Sequence, residues 1–145
     1  MEGTCLCGAA KVIVTGEPIA HIVCHCGDCR KWTGSVNYGV VVKHEQVTIE
    51  GEYDTFNLRK TQGAEGGWDR KSCSKCHGHL TATNRDGTVD DVCASVVCGT
   101  GEKQVPFAPT FHAMYPSRIK DVKDGLPKYK NFPTDIGGDG ETVAE

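Results

Sequence analysis

Short apolar runs cut by glycine set the pattern of the chain. Residues 11–14, 19–23, 38–42 and 46–49 lean apolar, and glycines at 3, 8, 16, 27, 34, 39, 51, 63, 66 and 67 stand between or beside them. Val12, Val14, Ile22, Val23, Val40, Val41, Val42, Val47 and Ile49 are β-branched, which suits a pleated, half-buried surface. No window of about a dozen residues repeats its apolar positions at a helical period. The pattern predicts a mainly β protein built of short antiparallel strands and turns. Residues 88–97 add one more strand-like run. Residues 59–69 hold three glycines and no aliphatic side chain larger than Ala64, so they read as a mobile loop of the kind that borders a site. Residues 134–145 hold three glycines and four acids with little to bury, and a frayed tail is expected there.

Length then limits the architecture. At 145 residues a single domain is expected, here residues 1–133 followed by the tail, since domains run to about 100–200 residues. Sixteen basic and nineteen acidic side chains give a net charge of −3. That lacks the basic footprint of a phosphate-backbone binder, so nucleic acid is disfavoured as a partner. The longest apolar stretch is about four or five residues against the roughly 18 that span a bilayer, so no membrane contact is expected. Glu2, Lys11 and Glu17 replace a signal-peptide core. The chain reads as soluble and cytoplasmic, a setting in which thiols stay reduced.

That setting changes the meaning of nine cysteines, an odd number, from a disulfide framework to metal ligands plus leftovers. Seven fall into three knots: Cys5-Leu6-Cys7-Gly8, Cys24-His25-Cys26-Gly27-Asp28-Cys29 and Cys73-Ser74-Lys75-Cys76. Zinc takes about four soft ligands in a tetrahedron at roughly 2.3 Å, and two thiols one or two residues apart reach one ion only where the backbone bends. Gly8, Gly27 and Gly78 are expected to supply the bends. The pairs Cys5/Cys7 and Cys73/Cys76 together make a closed four-thiolate site, a structural zinc. The central knot offers Cys24, Cys26 and Cys29, and three protein ligands with one exchangeable position compose a catalytic zinc. A small molecule's thiol placed there would lose its proton and become nucleophilic. Two alternatives stand beside this. His25, His77, His79, His112, Cys93 or Cys98 completes the tetrahedron, or the chain holds one zinc and a reactive free-thiol cluster. Cys93 and Cys98, five apart in an apolar run, are expected on opposite faces of a strand as packing thiols. His21 and His44 read as ordinary surface or packing histidines.

With these motifs in hand the chain resembles the glutathione-dependent formaldehyde-activating enzyme family, which also includes centromere protein V. The resemblance runs from Gly3 to about Phe132. It rests on Gly3-Thr4-Cys5-Leu6-Cys7-Gly8, the run from Cys24 through Arg30-Lys31-Trp32-Thr33-Gly34, Cys73/Cys76 with Leu80 four residues on, and Pro106-Phe107-Ala108-Pro109-Thr110-Phe111-His112. Arg118-Ile119 and Asp124-Gly125-Leu126-Pro127-Lys128-Tyr129 are a weaker echo. The resemblance implies a zinc-stapled β-tent with two zinc ions, one structural on Cys5, Cys7, Cys73 and Cys76 and one catalytic on Cys24, Cys26 and Cys29. It also implies glutathione as cosubstrate in forming S-hydroxymethylglutathione, a carbon–sulfur lyase reaction run backwards. The chain departs from the family in carrying His77 where glycine usually follows the late pair, with Gly78 one place on.

Glutathione's carboxylates want cations, and Arg30, Lys31, Arg59, Lys60, Arg70 and Lys71 are candidates. Arg30, next to Cys29, is the strongest, with Lys31 and Trp32 beside it as binding residues and Trp32 either a pocket wall or a core residue. His112 is a candidate proton carrier, since its unperturbed pKa lies near neutrality, or else a buried, hydrogen-bonded histidine. The function expected is a zinc-dependent carbon–sulfur lyase or synthase acting on a glutathione adduct of a small carbonyl or electrophile. The alternatives are a zinc-dependent dehydratase, isomerase or cyclase on another metabolite, and a non-enzymatic zinc-stapled binding module. A small-molecule substrate is the expected partner, and the sequence admits a homodimer.

Overall fold

The computed structural model describes residues 1–58, 67–99 and 101–144. Most of the loop expected at 59–69 therefore lies outside the described residues, as do Arg59 and Lys60. The protein is mainly β, its strands held in two sheets with few helices. No helix among the described residues is long and apolar enough to cross a membrane. The chain divides into two compact units interleaved in sequence: Met1–Ile19 with Val40–Phe107, and Ala20–Gly39 with Ala108–Glu145.

In the first unit, β1 (Glu2–Thr4), β2 (Lys11–Val14) and β5 (Val47–Glu50) form an antiparallel sheet in the order β1-β2-β5. The β-branched run at 11–14 forms β2, with Val12 and Val14 buried and Lys11 and Ile13 half-exposed. The strand β4 (Asn37–Lys43) begins in the second unit and ends in the first. In the first unit β6 (Tyr53–Phe56), β7 (Asp69–Cys73), β8 (His79–Thr83) and β9 (Val89–Cys93) pair antiparallel in sequence order. Val12, Val40, Val42, Leu80, Val92 and Val97 are buried in its core.

The strand-like run expected at 88–97 breaks after β9. Ala94–Val97 is a helical turn, α2, closed by the Cys98 N–H on the Ala94 carbonyl at 2.7 Å. Cys93 and Cys98 are both buried, so they pack as expected, but the opposite-face reasoning for them does not hold because a helical turn separates them. The turn packs against β1 and β2, and Gly3 permits it: a Cβ there would lie 1.6 Å from the Val96 carbonyl oxygen.

In the second unit, β3 (Ala20–Cys24) leads into a helix, α1 (Gly27–Thr33), which glycine-punctuated strand reading did not anticipate. Cys26 caps its start and Gly34, at φ 78°, ends it with its N–H on the Arg30 carbonyl at 2.8 Å, the left-handed stop that glycine favours. Seven residues are under two turns, too few to show a period. The strand β10 (Phe111–Ala113) pairs with β3 in parallel, His112 opposite Val23 and Ala113 opposite Cys24. This corrects the wholly antiparallel expectation: the two strands lie far apart in sequence, so no hairpin sets their direction.

The tail also departs from expectation. Val143 N–H meets the Lys128 carbonyl at 2.8 Å, Lys130 N–H the Glu141 carbonyl at 2.8 Å, and Gly140 N–H the Phe132 carbonyl at 3.1 Å. Thr134–Ile136 makes a 3-10 turn. Backbone hydrogen bonds rather than apolar burial hold residues 134–144, and composition carries no signal of them.

Candidate metal centres

The Cys5, Cys7, Cys73 and Cys76 sulfurs lie within 4.8 Å of one another in the first unit. Cys5 and Cys7 are 3.7 Å apart and Cys7 and Cys73 3.8 Å. Four sulfurs each about 2.3 Å from a tetrahedral zinc stand about 3.8 Å from one another, so the donor set fits that ion in type and spacing. Backbone amides aim at the sulfurs: Ala10 N–H at Cys5, Lys75 N–H at Cys73 and Gly78 N–H at Cys76, at 3.3–3.4 Å. The bends are made partly as expected. Gly8 has φ 80°, but in the late pair the left-handed residue is His77 at φ 61°, and Gly78 needs no positive φ. His77 thus takes the conformation that glycine would take, and its ring is not among the grouped ligands. Burial works against ionisation of Cys5, but the Ala10 amide and the thiols of Cys73, Cys7 and Cys76 outweigh it and hold Cys5 at about 6. Cys7 is pushed up in return. Four thiols this close cannot all ionise unaided, and a divalent cation removes the conflict.

In the second unit the Cys24, Cys26 and Cys29 sulfurs lie within 4.8 Å of one another. Among the described residues no histidine, carboxylate or further cysteine joins the group. Cys24 sits at the end of β3, Cys26 at the cap of α1, and Cys29 on its first turn, where the Cys29 N–H reaches Cys26 Sγ at 3.3 Å. Gly27 is simply the first helical residue, so the bend comes from the strand-to-helix change. Cys26 and Cys29, with burial, push the Cys24 thiol well above its ordinary range, the same crowding that a cation would relieve. Three soft donors in one buried cluster fit zinc with a fourth position to fill.

The cationic candidates divide. Arg30, Lys31 and Trp32 all follow Cys29 on α1, Lys31 exposed and the other two half-buried. Arg30 Nε donates to the His25 carbonyl at 3.2 Å and so braces the knot. Arg70 and Lys71 are on β7 in the first unit, Arg70 buried and Lys71 donating to Thr83 Oγ1 at 3.3 Å. His21 Nδ1 accepts the Ala108 N–H, and His44 pairs with Asp90 at 3.0 Å, packing roles as expected.

His112 is placed differently from a free proton carrier. It is 2% exposed, with Nδ1 2.8 Å from His25 Nε2 and Nε2 2.7 Å from Asp124 Oδ2. Both ring nitrogens are committed, which is the buried, hydrogen-bonded alternative. The chain continues from Asp124 Oδ1 to Lys128 Nζ, which also donates to the Leu126 carbonyl at 2.9 Å. Tyr115, fully buried, stands edge-on to His25 and His112 with centroids 5.1 and 5.8 Å away. Burial and the nearby cationic groups lower His25 to about 4. Although burial opposes it, the Lys128 and His112 hydrogen bonds hold the Asp124 carboxyl well below the usual carboxylate range. Asp124, Lys128 and Tyr115 carried no role in the sequence reading; a lysine 2% exposed leaves no mark in a polar, glycine- and proline-containing stretch.

The sequence model of the glutathione-dependent formaldehyde-activating enzyme family matches residues 1–117. No curated protein matches. A crystal structure of a Rhodobacter sphaeroides protein is similar at 19% identity, covering 74% of this chain and 100% of that one, with a TM-score of 0.51. At that identity the likeness speaks for the fold alone.

Proposed function

The chain belongs to the glutathione-dependent formaldehyde-activating enzyme family, and on that premise we propose that it is a zinc-dependent carbon–sulfur lyase or synthase joining glutathione to a small carbonyl, formaldehyde first. The observation that carries this reading is the group of three thiols, Cys24, Cys26 and Cys29, with no fourth protein ligand grouped with them among the described residues. Bound there, zinc would supply a Lewis-acid position at which an incoming thiol gives up its proton near neutral pH.

The chain's own residues do the rest. Arg30 and Lys31 follow Cys29 directly and offer cations to the carboxylates of glutathione, and Trp32 offers an apolar wall. Arg30 also holds the His25 carbonyl, so it couples the cofactor-binding side of α1 to the spacing of the thiols. In the reaction the sulfur lone pair attacks the carbonyl carbon and the carbon–sulfur bond forms. The carbonyl π pair moves to oxygen, which takes up the proton the thiol released. Nothing is oxidised or reduced. The four-thiol centre has a structural role, tying the turn after β1 to the turn between β7 and β8. The proposed setting is the reducing cytoplasm, where such thiols stay available for metal.

Carbon-13 NMR of labelled formaldehyde with glutathione tests this directly. The zinc-loaded protein is expected to speed the approach to S-hydroxymethylglutathione, and Cys29→Ser to abolish the acceleration. Equal rates with and without the wild-type protein would reject the reaction.

A further inference from the structure

We propose that Asp124 and Lys128 are positioning residues for the three-thiol centre, acting through His112 to fix the ring of His25, the residue that separates Cys24 from Cys26. This rests on the reading above only in taking Cys24, Cys26 and Cys29 as a metal site, and it owes nothing to glutathione.

Hydrogen-bond chemistry sets the direction of the chain. An ionised carboxylate only accepts, so Asp124 Oδ2 at 2.7 Å requires the proton on His112 Nε2. Were His112 Nδ1 the donor across the 2.8 Å contact to His25 Nε2, the His25 proton would sit on Nδ1 as a buried N–H with no partner among the described residues, a costly arrangement. His25 Nε2 is therefore the donor and His112 Nδ1 the acceptor. His25 Nδ1 is left as a bare lone pair, a buried nitrogen with no hydrogen-bond partner among the described residues. Both histidines are therefore fixed as Nε2–H tautomers by a carboxylate that touches only one of them.

Lys128 fixes the carboxylate. Its side chain is 1% exposed, and a buried ammonium must be paired. It takes the second oxygen of Asp124 and the Leu126 carbonyl, so Asp124 cannot turn away from His112 without loosening its ion pair with a buried ammonium. The segment is held on β10 from both sides, since His112 N–H meets the Pro127 carbonyl and Tyr129 N–H the His112 carbonyl, each at 2.9 Å.

The far end of the chain is where metal geometry is set. His25 N–H meets the Ala113 carbonyl at 3.0 Å and the His25 carbonyl receives Arg30 Nε at 3.2 Å. Strand pairing ends at Cys24 opposite Ala113, so the ladder positions Cys24 but not Cys26 or the start of α1. The pinned ring of His25 carries the constraint past the end of the strand. Residues that orient ligands from outside the coordination sphere are worth about 10- to 100-fold in metal affinity.

Two measurements on the zinc-loaded full chain test this. Long-range proton–nitrogen NMR of the wild type is expected to find His25 and His112 both as Nε2–H tautomers, and a His112 protonated on Nδ1 alone would overturn the assignment. Zinc transfer to a chelator is then followed in Asp124→Asn and Lys128→Met, with the four-thiol centre as internal reference. The expected result is about 10- to 100-fold weaker zinc at the three-thiol centre and no change at the other. Unchanged zinc affinity at the three-thiol centre in either folded variant contradicts the proposal. Should one variant fail to fold, the other and the wild-type tautomers still decide. A wild type with these tautomers that ignores glutathione would sink the proposed reaction and leave this inference standing; the reverse result would do the opposite.

Discussion

Gly3 carries a constraint that its place in a cysteine motif hides. The motif drew attention to Cys5 and Cys7, yet the glycine two residues earlier is where β1 passes against the Val96 carbonyl, with room for no Cβ. The obstacle is backbone, so a side chain cannot swing aside. Gly3→Ala is expected to cost at least about 1–3 kcal/mol, the usual range for overpacking, read from urea unfolding with both zincs in place. A loss below a few tenths would mean that β1 and α2 separate easily.

Asp124 gives a second test at the same scale. Its folded-state proton affinity is depressed, so the unfolded carboxyl takes up a proton first as the pH falls. Stability contributed by Asp124 is therefore full above the ordinary carboxylate pKa of about 4 and drains away below it. The difference in stability that Asp124→Asn makes is expected to shrink between about pH 5 and pH 3. Both chains carry Cys29→Ser in this comparison, which removes the three-thiol zinc that Asp124→Asn is expected to weaken, and zinc at the four-thiol centre, common to both, cancels. A gap that stays constant through this window would show that folding leaves the proton affinity of Asp124 unchanged.

At the scale of elements, what the sequence disclosed followed the reach of each signal. Val12 and Val14 were legible as strand residues because β-branching suits a pleated, half-buried surface, and the structure buries both. The thiol pairs were legible because their chemistry demands local spacing. The helix α1 was not: it is seven residues long, and its start is a cysteine that reads first as a metal ligand. The parallel pairing of β10 with β3 depends on residues nearly ninety positions apart, for example His112 with Val23, and no local pattern encodes it. The His25 to Lys128 chain spans the same distance in sequence, and no local pattern encodes it either.

The tail is an element with its own test. Its hydrogen bonds to residues 128, 130 and 132 are each worth on the order of 1 kcal/mol. Removal of residues 134–145 is expected to lower stability by about 1–3 kcal/mol, and the amides of Lys130, Gly140 and Val143 to be protected from hydrogen exchange in the full chain. Free exchange at those amides would restore the frayed tail that composition suggests.

Across the whole molecule the nine cysteines sort by unit as well as by chemistry. The four-thiol centre, with Cys93 and Cys98, belongs to the first unit, and the three-thiol centre belongs to the second. Neither unit is one continuous segment: the four-thiol group joins residues 5–7 to residues 73–76, whereas the three-thiol group draws on residues 24–29 alone. The first offers four protein sulfurs at the spacing of a closed zinc tetrahedron, the arrangement through which a metal contributes folding free energy. The second groups three sulfurs, and on the proposed reading a substrate's sulfur takes the fourth position, with Arg30 following Cys29 and bonded to the His25 carbonyl.

The most direct test of this division is calorimetric titration of glutathione into zinc-loaded wild type and Cys29→Ser, with zinc per chain measured on the same samples. Two zinc ions and glutathione binding are expected in the wild type, and one zinc ion with no binding in Cys29→Ser. A wild type holding two zinc ions that gives no heat with glutathione, or a Cys29→Ser chain that binds it equally well, would contradict the central claim.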